Sequence, residues 1–201
     1  MEPFSDTLTP ERAAKISALV NNRQQGIIVL EDITDPHNAA AVLRSCDSFG
    51  FHTVYFIFHE EKGFNPEKIG KLTSASANKW LEFEIFTTTA DCFTKLKQDG
   101  FTSVATALTD NSESIFEIDL TEPKLALVFG NEHRGLSEEA LELCDKTLLI
   151  PMRGMVQSLN LSVTAALCMF ETTRQRQHFP KEKYSLPPEK KAQIQQELQE
   201  K

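Results

Sequence analysis

The stretch Leu125-Ala126-Leu127-Val128-Phe129-Gly130-Asn131-Glu132-His133-Arg134-Gly135-Leu136 decides how this chain folds. Five consecutive apolar residues without polar alternation describe a strand buried on both faces, the pattern of a parallel sheet covered by helices on each side. A loop bounded by two glycines follows directly, and open α/β sheets bind ligands at the carboxyl ends of their strands. The loop is not a P-loop, because no Lys and Ser/Thr follow the glycines, and it is not a GxGxxG turn, so a phosphate cradle is disfavoured.

Working outward, β-branched or aromatic runs recur at 27–30, 53–58, 83–86, 103–108 and 147–150. Helix-like segments lie between them. Ala13, Ile16, Leu19 and Val20 recur at amphipathic spacing in 10–22. The segments 37–49 and 89–99 stop at Gly50 and Gly100, natural residues just past a helix end. Ser137 can cap a helix opening with Glu138-Glu139. The segment 159–178 is apolar early and turns polar at Thr172, which predicts that its far end leaves the core. After Pro187-Pro188, a glutamine-rich tail with only Ile194 and Leu198 as apolar anchors reads as a helix marginal by itself. The predicted class is α/β: a parallel sheet with helices on both faces and short helical extensions at the two ends.

Composition agrees. The 201 residues are 40% hydrophobic and 25% charged, which suits one globular α/β domain and excludes a disordered or collagen-like chain. No run approaches the roughly 20 apolar residues of a membrane span, and the opening residues lack the basic-then-apolar order of a signal peptide, so a cytoplasmic protein is expected. Cys46, Cys92, Cys144 and Cys168 form no CxxC pair, and the five histidines no HExxH, so reduced thiols and no metal are expected. The net charge of −8 argues against a protein that coats nucleic acid non-specifically. Residues 172–191 nonetheless hold six basic against two acidic side chains, which directs any anionic partner to the C-terminal end.

Two further stretches are unusual for pure structure. Asp35-Pro36-His37-Asn38 precedes a helix in which Arg44 follows Ala39, Ala40, Ala41, Val42 and Leu43. Asn38 could be a cap and Arg44 a solvated charge, or both could be functional. Ile150-Pro151-Met152-Arg153-Gly154-Met155-Val156-Gln157-Ser158-Leu159-Asn160 again lies just past a strand, with Ser158 and Asn160 able either to cap the next helix or to line a site. No GxSxG elbow surrounds Ser158 and no His–Asp pair is placed to activate it. Thr106 reads most simply as core strand, and Glu132 as a solvated turn residue or a loop organiser.

Together the three stretches, DPHNAAAVLRSCDSFGF from Asp35, LALVFGNEHRGLSEEAL from Leu125 and LLIPMRGMVQSLNLSVTAALCMFE from Leu148, resemble the motifs of the SpoU (TrmH) family of SPOUT RNA 2′-O-methyltransferases. The resemblance covers roughly residues 10–178 and implies a domain at 25–178, an N-terminal extension at 1–24 and a partly helical tail at 179–201. It implies that the C-terminal segment is threaded into a deep trefoil knot, an exception to the general avoidance of knots. Within the family the likeness is nearest to enzymes that methylate the 2′-hydroxyl of guanosine 18 in the tRNA D-loop. Another tRNA nucleoside, rRNA, or a catalytically silent RNA-binding role are the alternatives.

Carried over residue by residue, the resemblance implies that Thr106, Leu108, Gly130, Ile150, Met152 and Leu159 contact S-adenosyl-L-methionine (SAM). Asn38, Arg44, Glu132, Ser158 and Asn160 match the catalytic positions. The family works as a homodimer in which one subunit's Arg reaches towards the other's cofactor. The family proposal makes the residue matching Arg44 the base. Because guanidinium essentially never loses its proton, the alternative is that Arg44 binds a phosphate and stabilises developing alkoxide. RNA is expected to be met through Arg12, Lys15 and Arg23 and through Arg174 and Arg176.

Overall fold

The structure is a computed structural model that describes residues 9–69 and 77–200. The expectations for residues 1–8 and for Lys201 therefore lie outside the described residues. Helix α1 (Pro10–Asn22) leads to β1 (Gln24–Glu31), α2 (Pro36–Phe49), β2 (Phe51–Ile57) and, after a 3₁₀ turn at Ala77–Trp80, β3 (Glu82–Phe86). Then come α3 (Thr89–Gln98), β4 (Thr102–Thr106), β5 (Glu113–Ser114), β6 (Leu125–Phe129), α4 (Glu138–Leu143) and β7 (Lys146–Leu149). The chain ends with α5 (Leu161–Arg176) and α6 (Pro188–Glu200).

Among the described residues, seven strands pair in parallel in the order β3-β2-β1-β6-β4-β7-β5. Successive strand residues face opposite layers. Ile28, Leu30, Leu127 and Phe129 pack with Leu43 and Cys46 of α2 and Ala165 and Met169 of α5. Their neighbours Ile27, Val29, Ala126 and Val128 pack with Cys92 and Leu96 of α3 and Ala140 of α4. This alternation explains why Leu125–Phe129 is apolar throughout: every residue of it is buried.

Local chemistry sets the helix ends. Asp35 accepts from His37 N–H at 2.8 Å to open α2, and Gly50 closes it at φ 81°, where a Cβ would come within 2.7 Å of the Asn22 carbonyl. Asn160 accepts from Ser162 N–H at 2.8 Å and starts α5. Among the described residues, no helix is long and apolar enough to cross a membrane.

Two expectations need correction. The polar end of α5 does not leave the core: Thr172 and Arg176 are buried. The Arg176 guanidinium donates to Gln24 Oε1 at 2.7 Å, to the Gln25 carbonyl at 2.6 Å and to the Glu122 carbonyl at 2.6 Å, and stacks 4.7 Å from the Tyr184 ring. Burial pulls its pKa down to about 10. Arg23 is likewise buried and donates to Asp47 Oδ1 at 2.6 Å and to the Trp80 carbonyl at 3.1 Å. Neither can meet RNA, because each is spent on joining chain segments together. The tail helix, marginal alone, packs Ile194 and Leu198 against Ile16 and Val20 of α1, so each extension supplies the apolar surface the other lacks.

Candidate active site

Three loops leave the carboxyl ends of β4, β6 and β7 and enclose a cavity of about 780 Å³. Thr106, Leu108, Gly130, Ile150, Met152 and Leu159 line it, and so do Asn38, Glu132, Ser158 and Asn160. Of the eleven catalytic and cofactor positions nominated by sequence, only Arg44 stands outside. Arg44 lies on the exposed side of α2 and makes no side-chain hydrogen bond or ion pair among the described residues.

The loop after β6 is a closed turn. Asn131 N–H donates to the Gly135 carbonyl at 2.9 Å, Gly135 N–H returns to the Asn131 carbonyl at 3.0 Å, and Asn131 Oδ1 accepts from His133 N–H at 2.8 Å. A Cβ on Gly130 would sit 2.3 Å from the Gly135 carbonyl carbon and the Leu136 nitrogen, so only glycine fits. The turn is anchored from below, where the buried Asn131 carboxamide donates to the Asp32 carbonyl at 2.7 Å. Asp32 itself is the one described non-glycine residue with positive φ, at 51°. Its carboxylate accepts the backbone N–H groups of His59, Glu60 and Glu61, which fastens the loop after β2.

Glu132 is not a free carboxylate. Oε2 accepts from Thr34 N–H at 3.1 Å and Thr34 Oγ1 at 3.0 Å, while Oε1 accepts from Asp35 N–H at 3.3 Å and Asn38 Nδ2 at 3.1 Å. Burial pushes its pKa upward, but the hydrogen bonds from Asn38 and Thr34 outweigh that and hold it below the ordinary carboxylate value. Asn38 Oδ1 in turn accepts from Asn160 Nδ2 at 3.0 Å. One continuous chain of hydrogen bonds therefore links the three motif stretches, from Thr34 through Glu132 and Asn38 to Asn160 and the first turn of α5.

Asn131 and Asp32, which hold this chain in place, escaped the sequence reading. The available signals were the Gly130-Asn131 turn pair and an Asp just past a strand end, since Asp and Asn tolerate left-handed backbone. Among the described residues, no group of three or more His, Cys, Asp or Glu is placed to hold a metal ion.

Comparison with known proteins matches residues 25–170 to the SpoU rRNA Methylase family. The chain belongs to that family. Among SpoU relatives, the tRNA (guanosine(18)-2′-O)-methyltransferase of Escherichia coli strain K12 is 37% identical over 174 residues, 85% of this chain and 73% of the relative. The enzyme of the same description from Thermus thermophilus is 40% identical over 169 residues, 84% of each chain. The crystal structure of the A. aeolicus TrmH/SpoU tRNA modifying enzyme superposes with a TM-score of 0.84 at 31% identity, covering 94% of this chain and 95% of that one.

Proposed function

We propose that this protein is a SAM-dependent tRNA 2′-O-methyltransferase whose target is guanosine 18 of the D-loop, working as a cytoplasmic homodimer. The observation that carries this reading is the convergence of eight residues from the three motif stretches, together with Thr106 and Leu108, on a single cavity. The 37–40% identity to tRNA (guanosine(18)-2′-O)-methyltransferases supports the substrate.

The cavity fits the cofactor. Its volume falls within the roughly 300–1,000 Å³ of small-molecule pockets. Its walls combine the bare backbone of Gly130 with the apolar Leu108, Ile150, Met152 and Leu159, suited to an adenosine and an aliphatic methionine stem. Thr106, Leu108, Gly130, Ile150, Met152 and Leu159 would hold it. When bound, SAM supplies a sulfonium-activated methyl group.

The remaining task for the chain is to hold a ribose 2′-hydroxyl in line with that methyl and to let its proton go. Glu132 cannot be the base, since four donors already occupy its oxygens. Its role is to set Asn38, which sets Asn160. Ser158, exposed on the cavity lining, can orient the incoming hydroxyl. Arg44 stays protonated, binds the adjoining phosphate and stabilises developing alkoxide, while the proton passes to phosphate or solvent.

Arg44 does this across a dimer. Val163, Leu167 and Phe170 expose an apolar stripe at i, i+4 and i+7 along α5, and the Phe170 ring stands 6.4 Å from Phe49 of α2, the helix that carries Arg44. A second copy seated there would cover the stripe and bring Arg44 to its cavity. The family's deep knot is supported by the sheet order. The segment from β4 to β5 spans β7, with Ala107 N–H donating to Leu148 and Ile115 N–H to Leu149 on either side of it. The deciding experiment is nucleoside mapping by mass spectrometry of an unmodified tRNA transcript incubated with SAM and this protein. One 2′-O-methylguanosine at position 18 is expected, and methylation elsewhere or none would refute the assignment.

A further inference from the structure

The cations nominated for RNA are mostly committed elsewhere. Arg23 and Arg176 are buried, Lys15 is paired to Glu11 at 2.7 Å, and Arg174 is bonded twice to Glu171. A chain of net charge −8 still has to receive a polyanion at its cavity. The cavity's own arginine, Arg134, is turned into a cluster with Asp32, Glu60 and Glu61.

Arg153 is different. It follows Met152, which lines the cavity, on the loop between β7 and α5. It is exposed and, among the described residues, has neither a hydrogen bond nor an ion pair. A Cβ on Gly154 beside it would meet nothing within 4 Å, and no backbone hydrogen bond joins residues 151–159 to one another. Met155 and Val156 carry apolar side chains into solvent on the same loop, at 101% and 62% exposure.

Resting on the methyltransferase reading, we propose that Arg153 is a substrate-binding residue whose guanidinium takes a backbone phosphate of the RNA strand entering the cavity. A guanidinium presents paired donors that match two phosphate oxygens, and its unpaired charge costs no broken ion pair when RNA arrives. The exposed Met155 and Val156 continue the same surface and give sugar and base faces an apolar rest.

The test is tRNA binding by fluorescence anisotropy across a salt series, with SAM binding measured by calorimetry. Arg153→Ala should weaken tRNA binding several-fold and make the slope of log K against log salt shallower by about 0.7–0.9, the loss of one phosphate contact. Arg153→Lys should restore the slope, and SAM affinity should stay within about twofold, since no cofactor contact is assigned to this side chain. A wild-type protein that methylates tRNA alongside an Arg153→Ala variant with unchanged affinity and slope overturns this assignment and leaves the methyltransferase reading standing. Wild-type protein that binds no tRNA at any salt overturns both. A weakened dimer in Met155→Asp, with the Arg153→Ala slope unchanged, would show the loop covered by a second copy instead and also refute the proposal.

Discussion

The Asn160 carboxamide donates to Asn38 Oδ1 at 3.0 Å, closing a gap of 122 residues in the chain and tying the first turn of α5 to the first turn of α2. Asn38 spends its own Nδ2 on Glu132, so its orientation is dictated from both sides. Glu132→Gln would turn an amide N–H₂ toward groups that are themselves donors. It should cost about 1–3 kcal/mol of stability and lower turnover more than tRNA affinity, read by denaturant melts and single-turnover kinetics. Retention of full turnover would show that the network is not needed for alignment.

Gly130→Ala tests the turn itself. Its Cβ would meet backbone at 2.3 Å, which no rotamer relieves, so the loop must shift at a cost of about 1–3 kcal/mol. SAM binding by calorimetry should vanish while the protein stays folded. An unchanged affinity would move the cofactor away from this turn.

Arg44→Ala should abolish turnover, yet leave SAM affinity intact because Arg44 does not line its own chain's cavity. If it serves the second subunit, mixing Arg44→Ala with Asn160→Ala protein and allowing exchange should restore about a quarter of wild-type activity through heterodimers with one complete site. Mixtures as inactive as their components would place Arg44 in its own subunit's site.

Arg176 and Arg174 should part company despite lying two residues apart. Arg176→Ala strands the carbonyls of Gln25 and Glu122 and removes the stack on Tyr184, costing about 3 kcal/mol or more in a denaturant melt. Arg174 is itself half-exposed, and Arg174→Ala leaves Glu171 its bond from Gln175, so the melt should shift far less, by about 1 kcal/mol or under. Equal effects of the two would contradict the buried position of Arg176.

His52 provides a pH signature. Burial, assisted by the charge of Arg23, lowers its pKa to about 4, and its Nδ1 has no partner. Between about 6.5 and 4 the unfolded chain binds a proton that the folded one refuses. Stability is therefore complete above 6.5 and falls with acid by up to about 1.4 kcal/mol per pH unit until the folded imidazole titrates. His52→Gln should flatten this part of the profile, and an unaltered slope would assign it to other groups.

Much of the molecule was legible from residues in a row. Apolar runs without alternation gave parallel strands, Ser137 and Asn160 opened helices where their side chains could cap them, and the glycine-bounded loops fell at strand ends, whereas α2 is capped by Asp35 and not by Asn38, which lies inside the helix. Each of these signals depends on neighbours within a few positions, so it survives without knowledge of the fold. The ten cavity residues came instead from the family resemblance: eight lie within its three motif stretches, and Thr106 and Leu108, at the end of β4 and just past it, lie outside them.

What tertiary structure alone decided is which polar groups lie inside. Arg176 reads as a surface cation at the polar end of a helix, but its partners Gln24 and Gln25 are 152 and 151 residues away, and Arg23 finds Asp47 only because β1 and α2 converge. Asn131 and Asp32 meet across 99 residues for the same reason. A side chain's charge and size are written in the sequence, whereas its burial is set by whatever distant backbone folds against it, and that difference turned two expected RNA contacts into internal struts.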